Sequence, residues 1–143
     1  MTPVSLTPYQ LAQRFVGIKE AVGHAANPQI LAMLQLDDTW PQEDEVPWCS
    51  AFVNYMMWLL RLPRSKSLAA RSWLSVGTPV TMTTASVGFD VVVLSRGSGG
   101  HVGFFSACEQ DRVWMLGGNQ GDTVCVASFE TSRVLGIRRL GGE

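Results

Sequence analysis

Pro47-Trp48-Cys49-Ser50-Ala51-Phe52-Val53-Asn54 is the stretch from which the fold can be read outward. Pro47 stops any helix arriving from upstream, and after Cys49 the apolar residues Phe52, Val53, Met56, Met57 and Leu60 keep the spacing of a core-facing helical stripe. Cys49 heads that stripe. Its thiol would feel two opposed influences. Burial disfavours the thiolate, while the unpaired N–H groups and positive dipole end of a first helical turn favour it. A partly exposed sulfur beside a histidine is the machinery of a cysteine hydrolase, whereas a lone cysteine on an apolar stripe is a small core residue.

Upstream, Thr7-Pro8 is a helix entry, with Thr7 as cap and Pro8 at the first position, and Leu11, Phe15, Ile18 and Val22 mark one face of a helix closed by Gly23. Asn27-Pro28 repeats the entry for a short second helix carrying Ile30, Leu31 and Leu34. The acidic segment Asp37 to Glu45, with Trp40 and Pro41, reads as a loop into the cysteine helix. Downstream, Arg61 to Lys66 is a basic connector, and Ser67 is placed to cap a short helix through Ala69, Ala70 and Trp73. From Gly77 the character changes, as Gly, Ser and Thr punctuate runs of Val, Phe and Ile. This predicts strands near Pro79–Thr81, Asp90–Leu94, His101–Cys108, Val113–Leu116, Thr123–Phe129 and Val134–Arg139. Helices followed by an antiparallel meander predict an α+β domain, with N-terminal helices packed on the sheet and residues 1–143 forming one domain.

The totals narrow the function. A hydrophobic content of 46% with 16% charged residues describes a globular chain. No apolar run reaches the roughly 18 residues of a membrane helix; Met56 to Leu60 is uncharged and short, and Arg61 ends it. The net charge is -1, and no basic run exceeds Arg138-Arg139, so a nucleic-acid partner is disfavoured. Three cysteines, Cys49, Cys108 and Cys125, without a C-x-x-C spacing indicate neither a disulfide framework nor a zinc knuckle. Two histidines without an H-x-x-x-H spacing make a poor metal ligand set, and neither a metal nor another cofactor is expected. The N-terminus lacks the basic and apolar segments of a secretory signal, which predicts synthesis in the cytoplasm with thiols reduced.

A histidine opens a strand in Gly97-Ser98-Gly99-Gly100-His101-Val102-Gly103-Phe104-Phe105. Alternation puts His101, Gly103 and Phe105 on one face and Val102 and Phe104 on the other. Gly103 leaves room beside His101, so a cysteine helix on that face would bring thiol and imidazole together. His24, between Gly23 and Ala25, reads as a surface residue. A third group should hold the imidazole in one tautomer, from the strand ending Leu116-Gly117-Gly118-Asn119-Gln120-Gly121-Asp122. Asn119 or Gln120 could accept from it, with Asp122 a weaker candidate; the same residues also suit a plain hairpin turn. Trp48, Trp73 and Gln120 are candidates for substrate contact, the tryptophans being equally at home in a core.

Taken in order, Pro-Trp-Cys-Ser-Ala-Phe-Val-Asn, Gly-His-Val-Gly-Phe-Phe and Leu-Gly-Gly-Asn-Gln resemble the NlpC-like and CHAP group of cell-wall cysteine peptidases and amidases, most nearly a small single-domain branch found in phage lysins and bacterial proteins. The similarity extends over about Trp40 to Arg138 and includes Ala70-Arg71-Ser72-Trp73-Leu74 and Gly88-Phe89-Asp90-Val91-Val92-Val93. It implies a papain-like α+β core and cleavage of an amide bond in peptidoglycan, as an endopeptidase or an N-acetylmuramoyl-L-alanine amidase. Cys49 would be nucleophile, His101 base and Asn119 the third polar group. Gly117 stands where many CHAP members have a glutamate, and Phe89 separates Gly88 from Asp90, so the orienting group departs from the common pattern. The expected partner is peptidoglycan, met by a monomer in the periplasm or cell wall after release from the cytoplasm. Two other readings fit the same fold: a non-catalytic wall-binding or structural module, and a cysteine acyltransferase or amidase acting elsewhere.

Overall fold

The structure is a computed structural model and describes residues 5–20, 27–36 and 48–142. It is α+β: a six-stranded antiparallel sheet with short helices on one face. The helices are α1 (Pro8–Gln13), α2 (Pro28–Leu34) and α3 (Cys49–Leu59), with 3-10 turns at Ala70–Ser75 and Thr131–Arg133. The strands are β1 (Thr78–Val80), β2 (Asp90–Arg96), β3 (Gly99–Glu109), β4 (Arg112–Gln120), β5 (Thr123–Glu130) and β6 (Val134–Arg139). Among the described residues no helix is long and apolar enough to cross a membrane.

Both predicted helix entries form. Thr7 accepts from the Gln10 N–H while the Gln10 side chain accepts from the Thr7 N–H, a closed capping box, and Asn27 caps α2. The expected length of α1 does not hold. The helix ends at Gln13, and Gly17 at φ 101° turns the chain so that the Gly17 N–H donates to Val124 and the Val124 N–H to Ile18. Pairing with the start of β5 thus takes over from helical periodicity, although Leu11, Phe15 and Ile18 still pack on the core. Val22, Gly23, His24, and the whole of Asp37–Glu45 lie outside the described residues. Ser67 accepts from the Ala69 N–H without capping a helix, and the 3-10 turn starts at Ala70.

Strand order is β1-β6-β2-β3-β4-β5, so the expected meander holds from β2 to β5 while β6 returns to lie between β1 and β2. An ion pair fastens that return. Asp90, fully buried at the start of β2, accepts two bonds of 2.8 Å from Arg139 of β6 and one from the Ser86 N–H.

The sheet has a core on each side. Val91, Val93, Val102, Phe104 and Leu116 face the helices, where Phe52 meets Phe104 edge to face at 6.4 Å. Val92, Leu94, Phe105, Val113, Met115 and Ile137 fill the other side, which is why β2 is apolar without alternation. The alternation read for β3 is correct, but α3 packs on the Val102 and Phe104 face and not on that of His101. The helix stripe buries most apolar area against the valine and phenylalanine, and the histidine and glycine face offers less.

A satisfied polar network fixes the start of α3. Ser50 Oγ donates to the Ser67 carbonyl at 2.6 Å and accepts from Trp73 Nε1 at 2.9 Å, while Asn54 donates to the Ser67 carbonyl and accepts from the Lys66 N–H. Helix, basic connector and 3-10 turn are joined through it. On the sheet side Gly118 permits the close approach, since a Cβ there would fall 2.5 Å from Trp48 Cζ3 and 2.9 Å from Phe52 Cβ. Gly118→Ala is therefore expected to lower stability by about 1–3 kcal/mol, measured by urea unfolding, through overpacking under the helix start.

Candidate active site

The β3–β4 ladder has paired residues from Phe104 opposite Leu116 to Glu109 opposite Arg112, and stops there. Beyond it, His101 to Gly103 on β3 and Gly117 to Gln120 on β4 run without that pairing, and β4 also shifts register against β5 between Gly117 and Gln120. The start of α3 sits over this break, with Trp48 and Phe52 against Gly118. Cys49 lies in the helix-side core, and His101, packed against Phe129, lies on the other face of the sheet.

Cys49 is 2% exposed and packs in the helix-side core. No side chain caps α3, so its first-turn amides are open, and the backbone N–H groups of Ser50 and of Cys49 itself favour the thiolate. The backbone of Val102, next along from His101, acts in the same direction. Burial outweighs these donors and the Arg96 charge, and pushes the Cys49 thiol up from its ordinary range.

His101 is fully buried, its ring 5.3 Å from that of Phe129. Nε2 lies 2.9 Å from Gln120 Oε1. The roles in this bond follow from the far end of the glutamine. Gln120 Nε2 donates to the carbonyls of Cys125 at 2.7 Å and Met115 at 3.2 Å, groups that can only accept. The amide is thereby oriented, Oε1 must be the end facing the imidazole, and His101 Nε2 must carry the proton. Nδ1 then holds a lone pair, and this buried atom has no hydrogen-bond partner among the described residues. Burial depresses His101 to about 4, against a smaller upward pull from Gln120 and with the Arg96 and Arg133 charges adding to the depression.

Of the two residues expected to orient the imidazole, Gln120 does so. Asn119 lies in the register shift at φ 60°, a backbone conformation that asparagine tolerates, and its side chain makes no hydrogen bond among the described residues. It shapes the turn that carries Gln120 under the ring. Gly117 stands where a larger side chain could not, because a Cβ there would lie 2.8 Å from Gln120 Oε1. Trp48 and Trp73 are fully buried, with their indole N–H groups bonded to Glu20 and Ser50, and pack in the core. Cys108 is exposed, away from the helix, on the far half of β3.

The thiol and imidazole that a helix on the His101 face would bring together lie on opposite faces of the sheet. No hydrogen bond joins Cys49 to His101, and burial favours the neutral form of both. Phe129 and Arg133 were not singled out in the sequence; an aromatic residue late in one strand and an arginine in the following turn carry no local signal of a neighbour on β3. No protein-family model matches the sequence, and no curated protein does.

The buried imidazole ties stability to pH in a defined direction. Above pH 6.5 His101 is neutral folded or unfolded, and between 6.5 and about 4 only the unfolded chain takes up the proton, so stability falls as pH drops through that window. The difference in unfolding free energy between wild type and His101→Gln is expected to change by about 3 kcal/mol over it, as measured by urea titrations.

Proposed function

We propose that the protein is a cysteine peptidase or amidase with a papain-like core, acting on an amide bond of peptidoglycan, with Cys49 as nucleophile, His101 as base and Gln120 as orienting group. One observation carries this reading: a buried imidazole whose Nε2–H is committed to a fixed glutamine, leaving the Nδ1 lone pair without a partner among the described residues. An orphaned buried acceptor costs about 1–3 kcal/mol, a cost that a catalytic base explains. Peptidoglycan as the substrate rests on the motif resemblance.

In this mechanism substrate entry brings the Cys49 thiol and Nδ1 of His101, which rest on opposite faces of the sheet, into contact. Nδ1 takes the proton and the thiolate attacks the carbonyl carbon. The Cys49 backbone N–H, at the uncapped helix start, is a donor for the oxyanion. The imidazolium, held by Gln120, returns its proton to the leaving amine, and water then hydrolyses the thioester with His101 again as base. A substrate is needed to form the reactive pair, in line with catalytic hydrogen bonds that tighten only in the complex.

The burial of Cys49 favours a second reading, a non-catalytic module of the same fold. The two separate in one experiment on purified peptidoglycan. Wild type is expected to release soluble fragments, and Cys49→Ala and His101→Ala to lower that rate by at least about 1000-fold. Binding without release by wild type would support the module, and full activity in Cys49→Ala with loss in Cys108→Ala would assign the chemistry to the other sulfur.

A further inference from the structure

Three arginines surround the β2–β3 hairpin that leads into His101. Arg96, the last residue of β2, pairs with Gly99 across the hairpin, and the alternation that turns Leu94 and His101 to one face carries Arg96 to the same face. On that face Arg133 donates through Nε to the Ser95 carbonyl at 3.0 Å, its guanidinium 5.4 Å from the centre of the Phe129 ring that packs on His101. From the helix side Arg71 donates through Nε to the Gly99 carbonyl at 2.8 Å. Arg71 and Arg133 are both anchored at Nε, with no hydrogen bond at their terminal nitrogens among the described residues; Arg71 is exposed and Arg133 half-buried, and Arg96 is exposed and makes no hydrogen bond among the described residues.

None of the three has an acidic partner among the described residues, although the net charge of the whole chain is -1. Between Glu45 and Asp90 the sequence holds Arg61, Arg64, Lys66 and Arg71 and no carboxylate, and Asp90 is taken by Arg139. Unpaired guanidinium groups of this kind match the planar geometry of a carboxylate.

We propose that Arg71, Arg96 and Arg133 form an anion-binding rim that holds a free carboxylate of the substrate next to the scissile amide. The inference rests on Cys49 and His101 being the reacting pair, and it narrows the substrate to peptides with an unblocked acid close to the cut bond. Arg96 is paired with Gly99, two residues before His101 on β3, and Arg133 lies over the Phe129 ring that packs on His101.

Two measurements on the full chain test the rim separately from the peptidoglycan assignment. The first compares the rates at which iodoacetate and iodoacetamide label Cys49, followed by peptide mass spectrometry with Cys108 as internal reference. The anionic reagent is expected to gain over the neutral one at Cys49, and R96Q, which removes a charge without removing a bond, is expected to lower that ratio several-fold while leaving the ratio at Cys108 unchanged. The second compares peptidoglycan stem fragments with free and with amidated carboxylates. Wild type is expected to prefer the free acids by about tenfold in kcat/KM, mostly through KM, and R96Q and R133Q to bring that preference close to one. Equal use of both fragments by wild type, a preference unchanged in R96Q and R133Q, or a Cys49 labelling ratio unmoved by R96Q would overturn the rim while peptidoglycan cleavage stood. Failure to cleave either fragment, with the labelling ratio behaving as expected, would overturn peptidoglycan as the substrate and leave the rim in place.

Discussion

The amide of Gln120 is held at both ends of its dipole, and the electrostatics of the candidate site follow from that. Two carbonyls, those of Met115 and Cys125, claim its NH2 group, so its oxygen has one direction left and meets His101 Nε2. A free glutamine could present either end and leave the imidazole tautomer undetermined. Here the backbone of β4 and β5 decides which ring nitrogen is protonated, and the lone pair is placed on Nδ1. The arrangement depends on Gly117, whose missing side chain gives Gln120 its place, and on the left-handed backbone at Asn119.

Cys49 and His101 do not share a face: the thiol lies in the helix-side core and the imidazole packs on Phe129 on the other side of the sheet. The residue pairing of β3 with β4 ends at Phe104 and Leu116, an interruption in the ladder. Gly118 lets the helix start settle over this interruption, and the Ser50, Asn54 and Trp73 bonds keep it there. Burial favours the neutral form of both the thiol and the imidazole.

Much of this was legible in the sequence because it depends on local patterns. Strand positions in the second half follow from apolar runs bounded by glycine, serine and threonine, and each of the six predicted strands overlaps an observed one. The caps at Thr7 and Asn27 are local as well. Long-range pairings left no such trace: α1 stops early because Gly17 and Ile18 bond to Val124, and β6 returns beside β2 through Asp90 and Arg139. The face on which α3 packs, that of Val102 and Phe104, is not legible, because alternation shows which residues share a face and not which face a helix covers. The choice between Asn119 and Gln120 was open for a related reason. A register shift in β4 decides it, and such a shift has no signature beyond the glycines around it.

The central claim, that Gln120 fixes His101 as the Nε2–H tautomer with an unprotonated Nδ1, can be examined directly by long-range 1H–15N correlation spectroscopy of the labelled protein at neutral pH. The account predicts a neutral ring with the proton on Nε2 and a pyridine-like Nδ1, and conversion to a tautomeric mixture in Gln120→Leu. A ring protonated at Nδ1, or an imidazolium at neutral pH in the wild-type protein, would contradict it.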